Sequence, residues 1–269
     1  MVLKKTFPIV FDLFTFPDWG RGVLSVWWRN FLYFRYTLLV SFFWIIIEPV
    51  LYLGAIGYGI GVMVERVDGM PYLQFYAPAL MAITGMFVAY FEGTYGSFTK
   101  LTRQNTYGTI LLTPISAQEI ALGEILWAAS KGFFSVIGVT LVMAAIGLIK
   151  TWMVIPALAI NALVCWLFGA FGVLMAAYAK TYDSFIYSQS AAIVPMALFS
   201  GTYFPLTQLP VVAQKAALLL PLTHGVAASR ALMSGVPTPS VALNAAVLIT
   251  LTVLVTNWAV AQMQRRIVS

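Results

Sequence analysis

The sequence predicts an all-α polytopic membrane protein: six transmembrane helices, an N-terminal interfacial helix, and outer re-entrant half-helices between spans five and six. Three observations carry that prediction. Apolar residues make up 61 % of the 269 and charged residues only 9 %, whereas soluble domains run near 25 % charged. Mean hydropathy is +0.90. Runs long enough to cross a hydrocarbon layer of ~30 Å recur along the chain. A soluble globule would need far more Lys, Glu, Asp and Arg to cover its surface, so composition excludes a soluble enzyme.

Residues 1–36 form an aromatic, basic segment that is too interrupted to span. Lys4 and Lys5 precede no apolar h-region and no small-residue cleavage site, so no cleavable signal peptide is expected. Within GRGVLSVWWRNFLYFRY, residues 20–36, helical spacing puts Leu24, Trp27, Phe31 and Phe34 on one face, with Arg21, Arg29 and Asn30 away from its centre. That pattern predicts a helix lying along the membrane surface. The remaining residues, 37–269, read as one transmembrane domain. Its spans run roughly Leu38 to Val62, Tyr72 to Tyr95, Ile120 to Leu148, Met153 to Ala179, Ser184 to Phe199 and Val241 to Met263. Between the last two, residues 200–240 are apolar but broken by Gly201, Pro205, Pro210, Pro221 and Gly225. The piece Val211 to Leu220 is too short to cross, which predicts two half-helices dipping in and out. No half of the chain repeats the other, as many secondary carriers do, and that favours a pathway formed between two copies of the chain.

Net charge is +6. The bases collect in short segments between apolar runs, which reads as topology and contact with lipid headgroups rather than nucleic acid. Ten of them fall on the side of the N-terminal segment, the loop after span two (Lys100, Arg103), the turn at Lys180 and the tail (Arg265, Arg266). Arg66, Lys150, Lys215 and Arg230 fall on the other. Positive-inside then expects both termini in the cytoplasm and the re-entrant segment facing outward. Cys165 is the sole cysteine and His224 the sole histidine, so neither an intrachain disulfide nor a His/Cys metal site is expected. No phosphate-binding G-x-x-x-x-G-K-[ST], no G-x-S-x-G and no H-E-x-x-H occurs. Any ATP that powers transport, with its Mg, must bind a separate subunit.

Four ionisable residues sit at membrane depth or close to it: Glu48, Glu92, Glu124 and Lys131. A charge at the centre of a span costs at least ~2.5–3.5 kcal/mol on insertion scales, so each must face protein or a wet cavity. They read either as a polar gate or as ion pairs between helices, such as Lys131 with Glu48 or Glu92, the latter being favoured. Pro49, beside Glu48, is expected to open the backbone ladder and kink span one. His224, after Pro221, reads as a structural hydrogen-bonding residue at a half-helix end. In the loop KLTRQNTYGTILLTPISAQE, residues 100–119, the apolar turn from Tyr107 to Leu112 ends at Thr113 and Pro114. It suits either docking into a soluble partner's groove or folding back on the membrane surface.

The segment Tyr107-Gly108-Thr109-Ile110-Leu111-Leu112-Thr113-Pro114 resembles the coupling-helix region of type-2 ABC permeases. More of the chain is similar to the NodJ branch, permeases that export lipo-chitooligosaccharides. The similar stretches are VWWRNFLYFR before span one, EPVLYLGAIGYGIGVMV along it, FEGTYGSF ending span two, LGEILWAASK in span three, YDSFIYSQSAAIVPMALFSGTYFPLTQLP from span five, and LLPLTHGVAASRALMSG closing the re-entrant part. Glu48-Pro49 stands where that branch commonly has Asp-Pro. The resemblance implies a homodimeric permease above two ATPase subunits in a bacterial inner membrane. It also implies a side opening at spans one and five, where Phe42, Phe43, Phe185 and Tyr187 are candidates for the substrate path, although most aromatic residues there read as an interfacial belt. Drug or other lipid export within the same superfamily, a proton-coupled carrier, and a membrane-embedded transferase are the rival readings.

Overall fold

The computed structural model describes residues 13–14, 16–64, 66–235 and 238–268, without the side chains of Val40, Phe42 and Trp44. Lys4 and Lys5 lie outside the described residues, and so does the Phe42 side chain. Among the described residues the regular structure is helical apart from one small hairpin. Helix α1 (Arg21–Tyr36) precedes α2 (38–63), α3 (Tyr72–Thr102), the short α4 (Thr106–Ile110), α5 (Ala117–Ala145), α6 (Val154–Tyr178), α7 (Ser184–Phe199), α8 (Val211–Ala217), α9 (Pro221–Met233) and α10 (Ser240–Val268). Strands β1 (Arg66–Val67) and β2 (Met70–Pro71) pair antiparallel between α2 and α3. Asp68 and Gly69 make the turn with φ of 50° and 79°, the positive values that an Asp-Gly hairpin turn accommodates.

Among the described residues five helices are long and apolar enough to cross a membrane, and a sixth crossing is counted if the bent pair α8–α9 is one span. The expected fifth span, α7, has only 16 residues between Ser184 and Phe199. At 1.5 Å per residue it is ~24 Å long, shorter than the hydrocarbon layer. The pair α8–α9 bends by 89°. Pro205 and Pro210 immediately precede the 3₁₀ turn Leu206–Gln208 and α8, and Pro221 is the first residue of α9. Each proline thus starts a helix where its missing N–H costs nothing. The corner is closed by side chains: Thr223 Oγ1 donates to Ala217 O at 2.6 Å, and His224 Nε2 donates to Leu218 O at 3.0 Å. The Ala217 carbonyl also accepts from Leu220 N at 3.1 Å, and the two side chains add to the bonds at the end of α8.

Span one is more irregular than a single proline kink. Two π turns, Phe43–Ile47 and Leu53–Tyr58, interrupt α2. Pro49 cannot bond the Ile45 carbonyl four residues back, and the first π turn takes up the irregularity. Gly138 of α5 packs against that carbonyl, so closely that a Cβ on Gly138 would collide with Ile45 O. The centre of the bundle is α3, α5 and α6, and small residues let their backbones approach. A Cβ on Gly172 would lie 2.6 Å from Tyr90 O, and one on Gly132 would lie 2.8 Å from Gly85 O. Two apolar clusters fill the core, one around Tyr76, Met81 and Phe168 and one around Ile120, Leu174 and Phe185.

The inward face of α1 differs from the one its aromatic residues suggested. Val23, Val26, Asn30 and Phe34 are buried against α5, while Leu24 is exposed. Arg29 turns toward a carboxylate that α5 offers there, and Asn30 Oδ1 accepts from the same Arg29 Nη2 at 2.9 Å.

Candidate functional site

The first turn of α5 fixes the site's floor. Ser116 and Glu119 form a capping box, with Glu119 N donating to Ser116 Oγ at 3.2 Å and Ser116 N donating to Glu119 Oε2 at 2.8 Å. The other oxygen of Glu119 accepts from Gly22 N at 3.0 Å. One carboxylate therefore caps α5 and also meets the positive end of α1.

Further along α5, Glu124 and Lys131 lie seven residues apart and so share a face. Glu124, 2 % exposed, accepts from Arg29 Nη2 at 3.0 Å and from Lys100 Nζ at 2.6 Å. Lys131 Nζ donates to Glu92 Oε2 at 2.7 Å, and Trp127 Nε1 donates to Glu92 Oε1 at 2.8 Å. Lys100 Nζ also stands 3.8 Å from Glu92, which joins the two pairs. Glu92 begins a π turn, Glu92–Gly96, and a Cβ on Gly96 would meet its carboxylate at 2.8 Å. Of the two partners expected for Lys131, the structure selects Glu92. Glu124 pairs off its own helix, with α1 and α3. Glu48 has no ion-pair or hydrogen-bond partner among the described residues. Arg29, Asn30, Lys100 and Trp127 complete the network; in the sequence Arg29 and Asn30 read as the polar side of an interfacial helix and Lys100 as a topology-setting base, so none of the four stood out as a site residue.

The network stands between two adjoining cavities. One, of about 520 Å³, lies between α1, the end of α3 and α5, with Arg29, Asn30, Glu92, Lys100, Gln104, Thr106, Trp127 and Lys131 on its walls. The other, of about 840 Å³, lies between α2, α3, α5 and α7. Glu48, Glu92 and Lys131 line it with Phe34, Ile45, Tyr52, Phe87, Phe91 and Val194. Phe34, Thr37, Glu92, Tyr95, Gly96 and Lys131 border both. The arrangement joins a cavity walled largely by charged and polar groups to one with more apolar walls, the latter bordered by α2 and α7. Of the aromatic residues expected on a path there, Phe185 is buried against Tyr95 and Phe98, with ring centroids 4.9 and 5.4 Å away. It is a packing residue, because α7 turns that side toward α3. Phe43 and Tyr187 are exposed on the outer surface of the helices.

The loop from residue 100 to 119 folds as a short helical turn rather than a uniform docking patch. Tyr107, 1 % exposed, is inserted into the core beside Phe98 and Ile120. Burial, followed by the nearby Glu124 carboxylate, raises its phenol well above the ordinary tyrosine range. Ile110 and Leu111 are half-buried against the same cluster. Gly108, Thr109, Leu112, Thr113 and Pro114 are exposed, Leu112 by 88 %. At the far end, His224 Nδ1 lies 2.8 Å from Asn244 Oδ1, tying α9 to α10.

Comparison with known proteins gives a consistent picture. Residues 21–234 match the ABC-2 type transporter family. The chain is 37 % identical to nodulation protein J of Rhizobium leguminosarum bv. viciae, over 87 % of its own length and 90 % of the relative's. It is 35 % identical to nodulation protein J of Sinorhizobium fredii, over 91 % and 94 %. To the inner membrane transport permease YadH of Escherichia coli it is 25 % identical, over 69 % and 72 %. No solved structure matches the chain.

Proposed function

The chain belongs to the ABC-2 type transporter family, and from that membership we propose that it is the permease subunit of an ATP-driven exporter that moves an amphipathic glycolipid or lipo-oligosaccharide out of the cytoplasmic leaflet. The observation that carries the substrate class is the groove between α2 and α7. Its charged end suits a hydrophilic head, and its walls of Phe34, Phe87, Phe91 and Ile45 suit acyl chains. The relatives named nodulation protein J support a transporter permease of this kind, and the relative named an inner membrane permease supports placement in a bacterial inner membrane.

In this reading two copies of the chain form the pathway, and two copies of a separate ATPase subunit bind ATP and Mg. Their closure is delivered through the loop at residues 100–119 to α3 and α5, which Tyr107 joins to that loop. Both termini are cytoplasmic, as is the α1 end of the groove. Proteoliposomes test the proposal: the permease is reconstituted with a P-loop ATPase subunit from the same organism that co-purifies with it, and transbilayer movement of a fluorescent lipo-oligosaccharide is followed. Movement that requires both ATP and the ATPase subunit is expected. Movement driven by a proton gradient with the permease alone would overturn it in favour of a carrier that uses Glu48.

A further inference from the structure

We propose that the α1 wall of the smaller cavity is a binding site for a phosphate-bearing lipid headgroup, held by Arg29, Asn30 and Lys131. The first ground is charge. Within ion-pair distance Arg29, Lys100 and Lys131 meet only Glu92 and Glu124, three cations against two anions around the smaller cavity; Glu48 lines the larger cavity and not this one. The second ground is unmet donors. Arg29 Nη1 and Asn30 Nδ2 are both buried and neither has a hydrogen-bond partner, although Asn30 is only 5 % exposed and lines the cavity. A buried donor without an acceptor is costly, and Arg donors are well matched to phosphate oxygens.

Each oxygen of the two carboxylates accepts one of these bonds: Glu124 Oε1 from Arg29 Nη2 and Oε2 from Lys100, Glu92 Oε1 from Trp127 and Oε2 from Lys131. Arg29 Nη1 and Asn30 Nδ2 take part in none of them, and an anionic ligand supplies both the acceptor and the charge that suit this wall. The third ground is what adjoins the site. The larger cavity shares Phe34, Glu92 and Lys131 with it and continues between apolar walls, so acyl chains attached to the phosphate have a place to lie. That favours a lipid phosphate over free phosphate. Identifying this headgroup with that of the cargo rests on the export reading; the binding site itself does not.

The test is native mass spectrometry of the purified full-length permease, titrated with dioleoyl phosphatidic acid or with dioleoylglycerol, which has the same tails and no phosphate. Phosphatidic acid is expected to bind at least tenfold more tightly. Asn30→Leu and Arg29→Gln should each weaken it about tenfold and leave dioleoylglycerol unchanged. The near-isosteric Asn30→Asp, which puts a carboxylate in place of the amide donor, should weaken it further and reads the site even if Arg29→Gln misfolds. Lys215→Gln, on exposed α8, should change nothing. Equal binding of the two lipids, or phosphatidic acid binding that the Asn30 variants leave intact, would overturn the proposal. Displacement of phosphatidic acid by an equal concentration of inorganic phosphate would overturn the lipid assignment in favour of free phosphate. Headgroup selectivity without ATP-driven transport would sink the export reading alone, and transport without selectivity would sink this proposal alone.

Discussion

Glu124 holds two cations in a nearly water-free setting, and that makes it the most consequential single side chain in the network. Breaking a buried pair by removing one partner typically costs about 3–5 kcal/mol, because the remaining charge is left uncompensated. Glu124→Ala strands both Arg29 and Lys100 and should lower stability by about that amount, read as the denaturation midpoint in detergent. Glu92→Gln should cost less, since the Lys131 side chain is 34 % exposed and can turn toward the cavity. Equal midpoints for Glu124→Ala and the parent would show that the network is not structural. Glu92, Glu124 and Lys131 stood out in the sequence because charge at membrane depth demands an explanation. Arg29 and Asn30 did not, because on a helix rich in Trp and Phe the apolar residues dictated the face. The deciding fact was a carboxylate ninety-five residues away, beyond the reach of any local pattern.

Long spans were legible as elements because hydropathy alone marks them, and α5, α6 and α10 begin and end within a few residues of expectation. Their irregularities were less so. Pro49 announced a defect, but not that α2 would carry two π turns, the first packed on α5 and the second on α3. Backbone proximity sets the sensitive glycines. A Cβ at Gly172 would lie 2.6 Å from Tyr90 O and 3.0 Å from the Gly93 Cα, with only backbone to give way. Gly172→Ala should therefore destabilise by ~1–3 kcal/mol through overpacking. Gly61→Ala on α2, whose Cβ would meet nothing closer than 4.0 Å, should be neutral or stabilise by up to ~1 kcal/mol through helix propensity. Thermal unfolding of the two variants compares them directly, and equal loss from both would refute a packing origin. Ser116→Ala removes half of the capping box and should cost ~1 kcal/mol. Since Glu119 also holds Gly22 N, Glu119→Ala should cost more and should increase proteolysis near residue 20; equal cleavage in the two variants would separate α1 from the cap.

For the molecule as a whole, orientation and coupling are the properties that decide function. Cysteine labelling suits the first, because the native Cys165 is fully buried. In intact cells an impermeant reagent should reach a cysteine placed at Lys215 and not one placed at Arg103, and the reverse would invert the topology. Coupling turns on the loop between α3 and α5. The sequence marked its apolar turn, but only the fold divides the residues into those that secure the loop and those left to a partner. Tyr107 is sunk in the core, Ile110 and Leu111 are half-buried beside it, and Leu112 points away at 88 % exposure. An exposed Leu at the tip of a loop pinned from beneath is suited to act as an anchor in an ATPase groove. Central anchors typically lose ~2 kcal/mol or more on truncation, and each 1.4 kcal/mol is a factor of ten, so the ATPase should bind about thirtyfold more weakly to Leu112→Asp. The parent chain buries none of that side chain against itself to any extent that matters, so the variant's melting temperature should stay unchanged. Tyr107→Ala should do the opposite in the first measurement available, lowering the melting temperature of the permease alone because it empties a core position. Affinity of the purified ATPase subunit for each variant in nanodiscs, with melting followed in parallel, separates the two roles. If Leu112→Asp binds the ATPase as the parent does and exports normally, Leu112 is not the contact through which ATP closure reaches the spans.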